Sequence, residues 1–213
     1  LTLPDDDGRI EHMFLQGSLL VSATVGIDHS IPVERHHLDA TTWVDVARGW
    51  LGGPDEVYAE LVASLAWRQR RGVPMYDRLV DEPRLTHWWR ADAGIPEPLP
   101  VLAEVREHLA RRYERTFDSI GFNLYRDGSD SVAWHGDRHR HHVVDPVVAI
   151  VSVGAPRPLR LRPNGGGRSR AWNLGSGDLF VMGGACQHRW QHTVPKVRHA
   201  APRLSITFRH GVP

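Results

Sequence analysis

From Phe117 onward the sequence is a series of short apolar or alternating runs separated by turn residues, and that punctuation leaves few folds open. Gly121 to Tyr125 reads as a strand, Asp127-Gly128 as the turn after it, and Val132 to His135 as the next strand. Pro146 to Val153 is a continuous apolar run suited to a buried strand. Leu159 to Arg162 alternates, Asn164-Gly165-Gly166-Gly167 interrupts, and Ala171 to Leu174 and Asp178 to Met182 flank the hairpin signature Gly175-Ser176-Gly177. Arg189 to Val194 and Leu204 to Arg209 bring the count to eight. Eight short strands with close turns, after a helical N-terminal part, predict an α+β, mainly β fold. Its core would be a double-stranded β-helix (jelly-roll) with the N-terminal helices packed against it.

The N-terminal part is read from its periodicity. Leu19-Leu20-Val21 and Ala23-Thr24-Val25 are candidate short strands. A helix is predicted from about Pro54 to Leu65: Pro54 suits its first turn, Asp55 and Glu56 its positive end, and Val57, Leu61, Val62 and Leu65 form one stripe. A basic patch, Arg68-Gln69-Arg70-Arg71-Gly72, follows. Gly72 to Pro100 carries five prolines besides Tyr76, Trp88 and Trp89, which predicts an irregular surface region. Aromatics beside Arg84 and Arg90 suit base stacking and phosphate contact, whereas Trp88 and Trp89 could equally cap the core. A second helix is predicted from about Leu99 to Arg115, with Val101, Leu102, Val105, Leu109 and Tyr113 on one face and arginines on the others. One domain is expected over residues 1–213, with the extension, helices and a lid in 1–116 and the jelly-roll in 117–210.

Composition excludes several classes. One cysteine, Cys186, rules out an internal disulfide and a Cys-based zinc cluster. A formal net charge of +1 leaves no strongly cationic surface, so polyanion binding would need local patches. No apolar run approaches the ~18 residues of a membrane span. The start shows no secretory signal pattern. A soluble, cytoplasmic protein without membrane contact is expected.

The chemistry gathers at Trp134-His135-Gly136-Asp137. Side chains two apart on a strand point the same way, so His135 and Asp137 offer an imidazole and a carboxylate together. A later histidine would complete a two-His-one-carboxylate set, which leaves open positions on a ferrous ion. His188 and His192, four apart on one expected strand, both qualify. His139, His141 and His142 fall in a polar loop read as solvated. Arg203 to Arg209 alternates strictly, with Arg203, Ser205, Thr207 and Arg209 on one face. Two inward arginines would need anionic partners, and one dicarboxylate matched by two guanidinium forks satisfies both. Open iron positions with such a pair point to 2-oxoglutarate.

The chain resembles the AlkB-type Fe(II)- and 2-oxoglutarate-dependent nucleic-acid dealkylases. The resemblance rests on Asn123-Leu124-Tyr125 with Asp127-Gly128, His135-Gly136-Asp137, Trp190 to Lys196, and Arg203 to Arg209, over about residues 117–210. It implies that His135, Asp137 and His192 bind Fe(II), because the family's distal ligand is the His of a His-x-x-Pro stretch. It also implies Arg203 for the distal carboxylate of 2-oxoglutarate, Arg209 for the metal-chelating one, and Asn123 and Tyr125 as further donors. The implied reaction uses O2 to hydroxylate an N-alkyl carbon, releasing formaldehyde, CO2 and succinate and restoring the base.

For the substrate the resemblance implies a base flipped between His135 and a lid aromatic. Pro83-Arg84 looks like the lid element, so Trp88, Trp89 and Tyr76 are candidates for the second wall. Two departures stand out: His139 occupies a position often acidic in the family, and Ser205 one that is often Asn. The loop Arg157 to Arg170, with five arginines, is either a phosphate contact or a solvated hairpin. The expected partner is alkylated DNA (1-methyladenine, 3-methylcytosine, etheno adducts), with RNA as a further substrate, and a monomer is expected. The competing readings are an oxygenase acting on a protein or small molecule, and a catalytically silent nucleic-acid-binding module.

Overall fold

The computed structural model describes residues 24–75, 78–136 and 143–211. The strands run in order β1 (Gly26–Ile27), β2 (Glu34–His37), β3 (Thr42–Ala47), β4 (Leu51–Gly52), β5 (Val73–Met75), β6 (Arg78–Val80) and β7 (Leu85–Arg90). They continue with β8 (Ser119–Tyr125), β9 (Val132–His135), β10 (Val148–Gly154), β11 (Arg157–Pro163), β12 (Arg170–Leu174), β13 (Asp178–Gly184), β14 (Trp190–Val194) and β15 (Arg203–Arg209). Helices α1 (Pro54–Ser64) and α2 (Pro100–Tyr113) precede β8, and a single turn of helix, α3 (Cys186–Arg189), leads into β14.

Strands β8 to β15 form the expected jelly-roll. One sheet has the order β2-β3-β13-β10-β15-β8-β7 and the other β12-β11-β14-β9. The eight strands divide four and four between them, and the larger sheet is widened by β3 and β2 at one edge and β7 at the other. Strand β15 shows how this geometry arises. Leu204, Ile206 and Phe208, all 0% exposed, face the helices, where they meet Leu61, Leu102, Val105 and Leu109. Each such burial stabilises the fold by about 1.5–3 kcal/mol. The alternate residues Arg203, Ser205 and Thr207 are also buried, but in the space between the sheets.

Both predicted helices are present. Pro54 occupies the first turn of α1 after Gly53, whose φ of 58° suits the left-handed entry, and Val57 and Leu61 are buried. Helix α2 buries Val101, Leu102, Val105 and Leu109 and ends at Glu114, with Arg111 and Arg112 in its last turn.

Several expectations need correction. The segment from Gly72 to Pro100 is not irregular throughout, because β7 pairs along β8 from Leu85↔Leu124 to Arg90↔Ser119. Pro83 and Pro96 bracket that strand without entering it, and an edge strand needs only one hydrogen-bonding side. The paired strands β2 and β3 were not apparent in the sequence. Of the N-terminal strand candidates, Leu19 to Val21 and Ala23 lie outside the described residues, and Thr24 and Val25 join no strand. His188 does not share a strand with His192, because it lies in α3. Among the described residues no helix is long and apolar enough to cross a membrane.

Candidate active site

The space between the sheets opens into a cavity of about 500 Å³. Strand β8 brings Asn123 and Tyr125 to it, and the register of β15 sets Ser205 opposite Asn123 and Arg203 opposite Tyr125. Arg203 is 1% exposed. Its Nε donates to Ser152 Oγ at 2.8 Å, its guanidinium lies 5.4 Å from the Tyr125 ring, and its buried Nη1 has no hydrogen-bond partner. Burial pushes the Arg203 pKa down to about 10, so the group still carries its charge at neutral pH. Burial also raises the Tyr125 pKa, against the pull of Arg203, Arg84, Arg157 and Arg209. A protonated phenol and a charged guanidinium with an unmet donor are therefore directed at the same space. Four arginines line the cavity (Arg70, Arg84, Arg203 and Arg209) against one carboxylate among the described residues, Glu82. That imbalance favours an anionic ligand.

The smaller sheet supplies the imidazoles. His192 of β14 is the register partner of His135 of β9, and their ring centroids are 4.2 Å apart. His192 is 8% exposed. His135 Nδ1 lies 2.8 Å from Ala133 O, a contact that requires the proton on Nδ1 and so puts the ring's lone pair on Nε2. His188, by contrast, sets its Nε2 against Val143 O at 3.1 Å and does not line the cavity. Asp137, His139 and Tyr76 lie outside the described residues.

At the rim, Trp88 is 52% exposed and packs across Gly121, its partner on β8, with the Arg209 guanidinium 5.1 Å from its ring. Trp89 points the other way. It is 4% exposed, its Nε1 is held by Ile95 O and Pro96 O, and it belongs to the helix-side core. The expectation that Trp89 is a base-stacking candidate is corrected accordingly: adjacent residues on a strand face opposite sides. Arg84 reaches the cavity wall, where its Nε donates to Asn123 Oδ1 at 2.9 Å. Because a guanidinium only donates, this contact fixes the amide orientation and leaves both Nδ2 hydrogens for another acceptor.

Arg157 is also corrected as a phosphate contact. It is 1% exposed and donates to the carbonyls of Asp127, Asp130 and Pro195 at 2.8–2.9 Å, tying the β8–β9 turn to the end of β14. Its parity with Leu159 and Leu161 in an alternating run was the sequence signal for an inward position. Arg162 lies 4.2 Å from the Trp134 ring. Glu82 and Gly121 were not foreseen as site residues, and nothing local in the sequence marks them; Arg70 was legible only as part of the basic patch at 68–72.

Residues 60–209 match the 2OG-Fe(II) oxygenase superfamily. The alpha-ketoglutarate-dependent dioxygenase alkB homolog 3 of Mus musculus is 34% identical over 178 residues, 75% of this chain and 62% of that protein. The DNA oxidative demethylase ALKBH2 of Mus musculus is 30% identical over 151 residues, 66% of this chain and 63% of that protein. A prolyl hydroxylase from Trichoplax adhaerens, solved with a hypoxia inducible factor oxygen degradation domain peptide fragment, superposes with a TM-score of 0.55 at 15% identity. That match covers 78% of this chain and 82% of the hydroxylase, and it shows the shared fold. The chain belongs to the 2OG-Fe(II) oxygenase superfamily, and its similarity to the two mouse proteins is to AlkB homologs within it. It spans 62% and 63% of the lengths of the two mouse relatives.

The family requires Fe(II), 2-oxoglutarate and O2. The described residues fit that requirement. Two imidazoles stand in register in one cavity with a buried guanidinium whose Nη1 lacks an acceptor. A dianionic acid supplies such an acceptor.

Proposed function

We propose that the chain is an oxidative dealkylase of N-alkylated nucleobases in DNA, with RNA as a further substrate, acting as a cytoplasmic monomer. The observation that carries this reading is the shared cavity. It joins the His135–His192 pair, the buried Arg203 and the exposed indole of Trp88. His135, Asp137 and His192 would hold Fe(II), which with O2 and 2-oxoglutarate supplies the oxidising chemistry when bound.

The chain's own groups bind and orient. Arg203 would take the distal carboxylate, with the protonated Tyr125 hydroxyl beside it. Arg209 would meet the second carboxylate, and Asn123, oriented by Arg84, would donate to the cosubstrate through Nδ2. Trp88 and His135 would hold a flipped base between them, and the walls of the cavity would limit the access of water.

A panel of single-stranded oligonucleotides at low salt tests the reading. Protein loaded with iron and 2-oxoglutarate is expected to release formaldehyde from 1-methyladenine and 3-methylcytosine strands and to remove etheno adducts, followed by mass. No release from any strand, together with 2-oxoglutarate turnover on a peptide or small molecule, would transfer the site to the competing oxygenase reading.

The rim makes a second prediction. A Cβ at Gly121 would fall 2.9 Å from Arg209 Nη1 and 3.1 Å from Trp88 Cη2, both at the ends of side chains that can move. Gly121→Ala is expected to fold normally while displacing both groups. The expected loss in kcat/KM on methylated strands is about tenfold or more, since a shift of about 1 Å can cost roughly a hundredfold. A variant with wild-type kinetics would show that Trp88 and Arg209 need not keep this arrangement.

A further inference from the structure

Behind the His135–His192 pair, on the outer face of the smaller sheet, stand three further side chains. Trp134 immediately precedes His135 on β9, and Gln191 immediately precedes His192 on β14. Arg162 follows Leu161, which is the register partner of His192 on β11. Neighbours along a strand face opposite sides, so each of these outward residues backs an inward one. Arg162 joins the three strands. Its Nε and Nη2 donate to Gln191 Oε1 at 3.3 and 3.2 Å, and its guanidinium lies 4.2 Å from the centroid of the Trp134 ring. That separation is within the range of an attractive cation–π contact. The fork and the flat face of a guanidinium serve both partners at once, which a lysine ammonium cannot do.

The contact falls where the sheet is least well held. Strand β9 is the outer strand, and only β14 pairs with it within the sheet. Its register on β14 shifts between His192↔His135 and Val194↔Val132. At the Val132 end a side chain bridges the irregularity, because Thr193 Oγ1 donates to Val132 O. At the His135 end Arg162 makes the corresponding link, reaching from β11 across β14 to the ring on β9. Two ligands on different strands hold one ion only while those strands keep their register. A slip of one residue on β9 would turn Trp134 inward and His135 outward.

We infer that Arg162 is a positioning residue for the metal centre. By clamping Trp134 and Gln191 together on the outside of the sheet, it holds His135 against His192 on the inside. This inference rests on the iron site proposed above and not on the nature of the substrate.

The test is metal affinity, measured without nucleic acid. Mn(II) is titrated into metal-free protein in the presence of 2-oxoglutarate, and the free ion is followed by its EPR signal. Arg162→Met keeps most of the stem but loses the fork and the charge. Its Kd for Mn(II) is expected to rise about tenfold or more, as for other groups that orient metal ligands. Arg162→Lys, which keeps a charge over the ring but not the fork, is expected to give a smaller rise. Arg160 is exposed two residues away on the same face, and Arg160→Met is expected to stay within about twofold of wild type. In a Trp134→Leu background the clamp has lost its far end, so adding Arg162→Met is expected to change Kd by less than about twofold. Misfolded protein lowers the stoichiometry of binding, whereas a displaced ligand raises Kd. An Arg162→Met Kd within about twofold of wild type, an equal rise in Arg160→Met, or the full rise persisting in the Trp134→Leu background overturns the inference. Wild-type protein that takes up no Mn(II) removes the metal assignment and this inference together. Wild-type protein that shows these differences yet dealkylates no strand overturns the dealkylase reading alone.

Discussion

Arg203→Met is expected to abolish productive use of 2-oxoglutarate while leaving the cosubstrate-free protein at least as stable as the wild type. The two outcomes share one cause. Without an anion, Arg203 is a charge at 1% exposure whose Nη1 meets no acceptor, so its desolvation is only partly offset by Ser152 and Tyr125. Methionine fills similar space with no charge to desolvate, and replacing buried ionic groups by apolar ones is often neutral or stabilising. With 2-oxoglutarate bound, the same guanidinium has a carboxylate to meet. Removing one partner of such a buried pair costs about 3–5 kcal/mol, or roughly a hundredfold to several thousandfold in affinity. Thermal melts with and without 2-oxoglutarate and Mn(II), alongside succinate formation, separate the effects. Wild-type protein is expected to gain about 2.7 kcal/mol at a cosubstrate concentration 100 times its Kd, and the variant to gain no more than about 0.4 kcal/mol at that concentration. A variant that still binds 2-oxoglutarate with near wild-type affinity would remove Arg203 from the site.

His192→Ala and His188→Ala are expected to behave oppositely. His192 pairs in register with His135, with centroids 4.2 Å apart, and loss of its imidazole would leave the proposed iron site two ligands. Changes to groups that only support a metal ligand already cost about 10–100-fold. Loss of the ligand itself is expected to exceed that, lowering metal affinity and formaldehyde release by about a thousandfold or more. His188 belongs to α3 and contacts Val143 O, so its removal is expected to change activity by less than about threefold. Metal titration of the two variants decides the matter. Equal loss in both would show that the site is not the one described.

Much of this architecture was legible in the chain. The runs from Gly121 to Arg209 gave the strands of the jelly-roll, because a buried strand needs a period of two and turns need glycine and aspartate. The alternation of Arg203 to Arg209 separated Leu204, Ile206 and Phe208 from the polar face, and the structure places those two sets on opposite sides of the sheet. Less of the N-terminal half could be read. Strand β7 was hidden among prolines that flank it, and β2 is an exposed edge strand with no apolar pattern to announce it.

The sequence by itself determined which chemistry was available: a His-x-Asp pair, two later histidines, and arginines on one face of a terminal strand. Only the tertiary structure decided which of these groups meet. It set His192 rather than His188 beside His135, turned Trp88 to the rim and Trp89 to the core, and drew Arg157 inward as a tie between turns. The physical reason is that local pattern assigns a side chain to one of two faces. What lies opposite that face depends on strand pairing over many residues, as when Glu82 and His135 come to line the same space from separate parts of the chain.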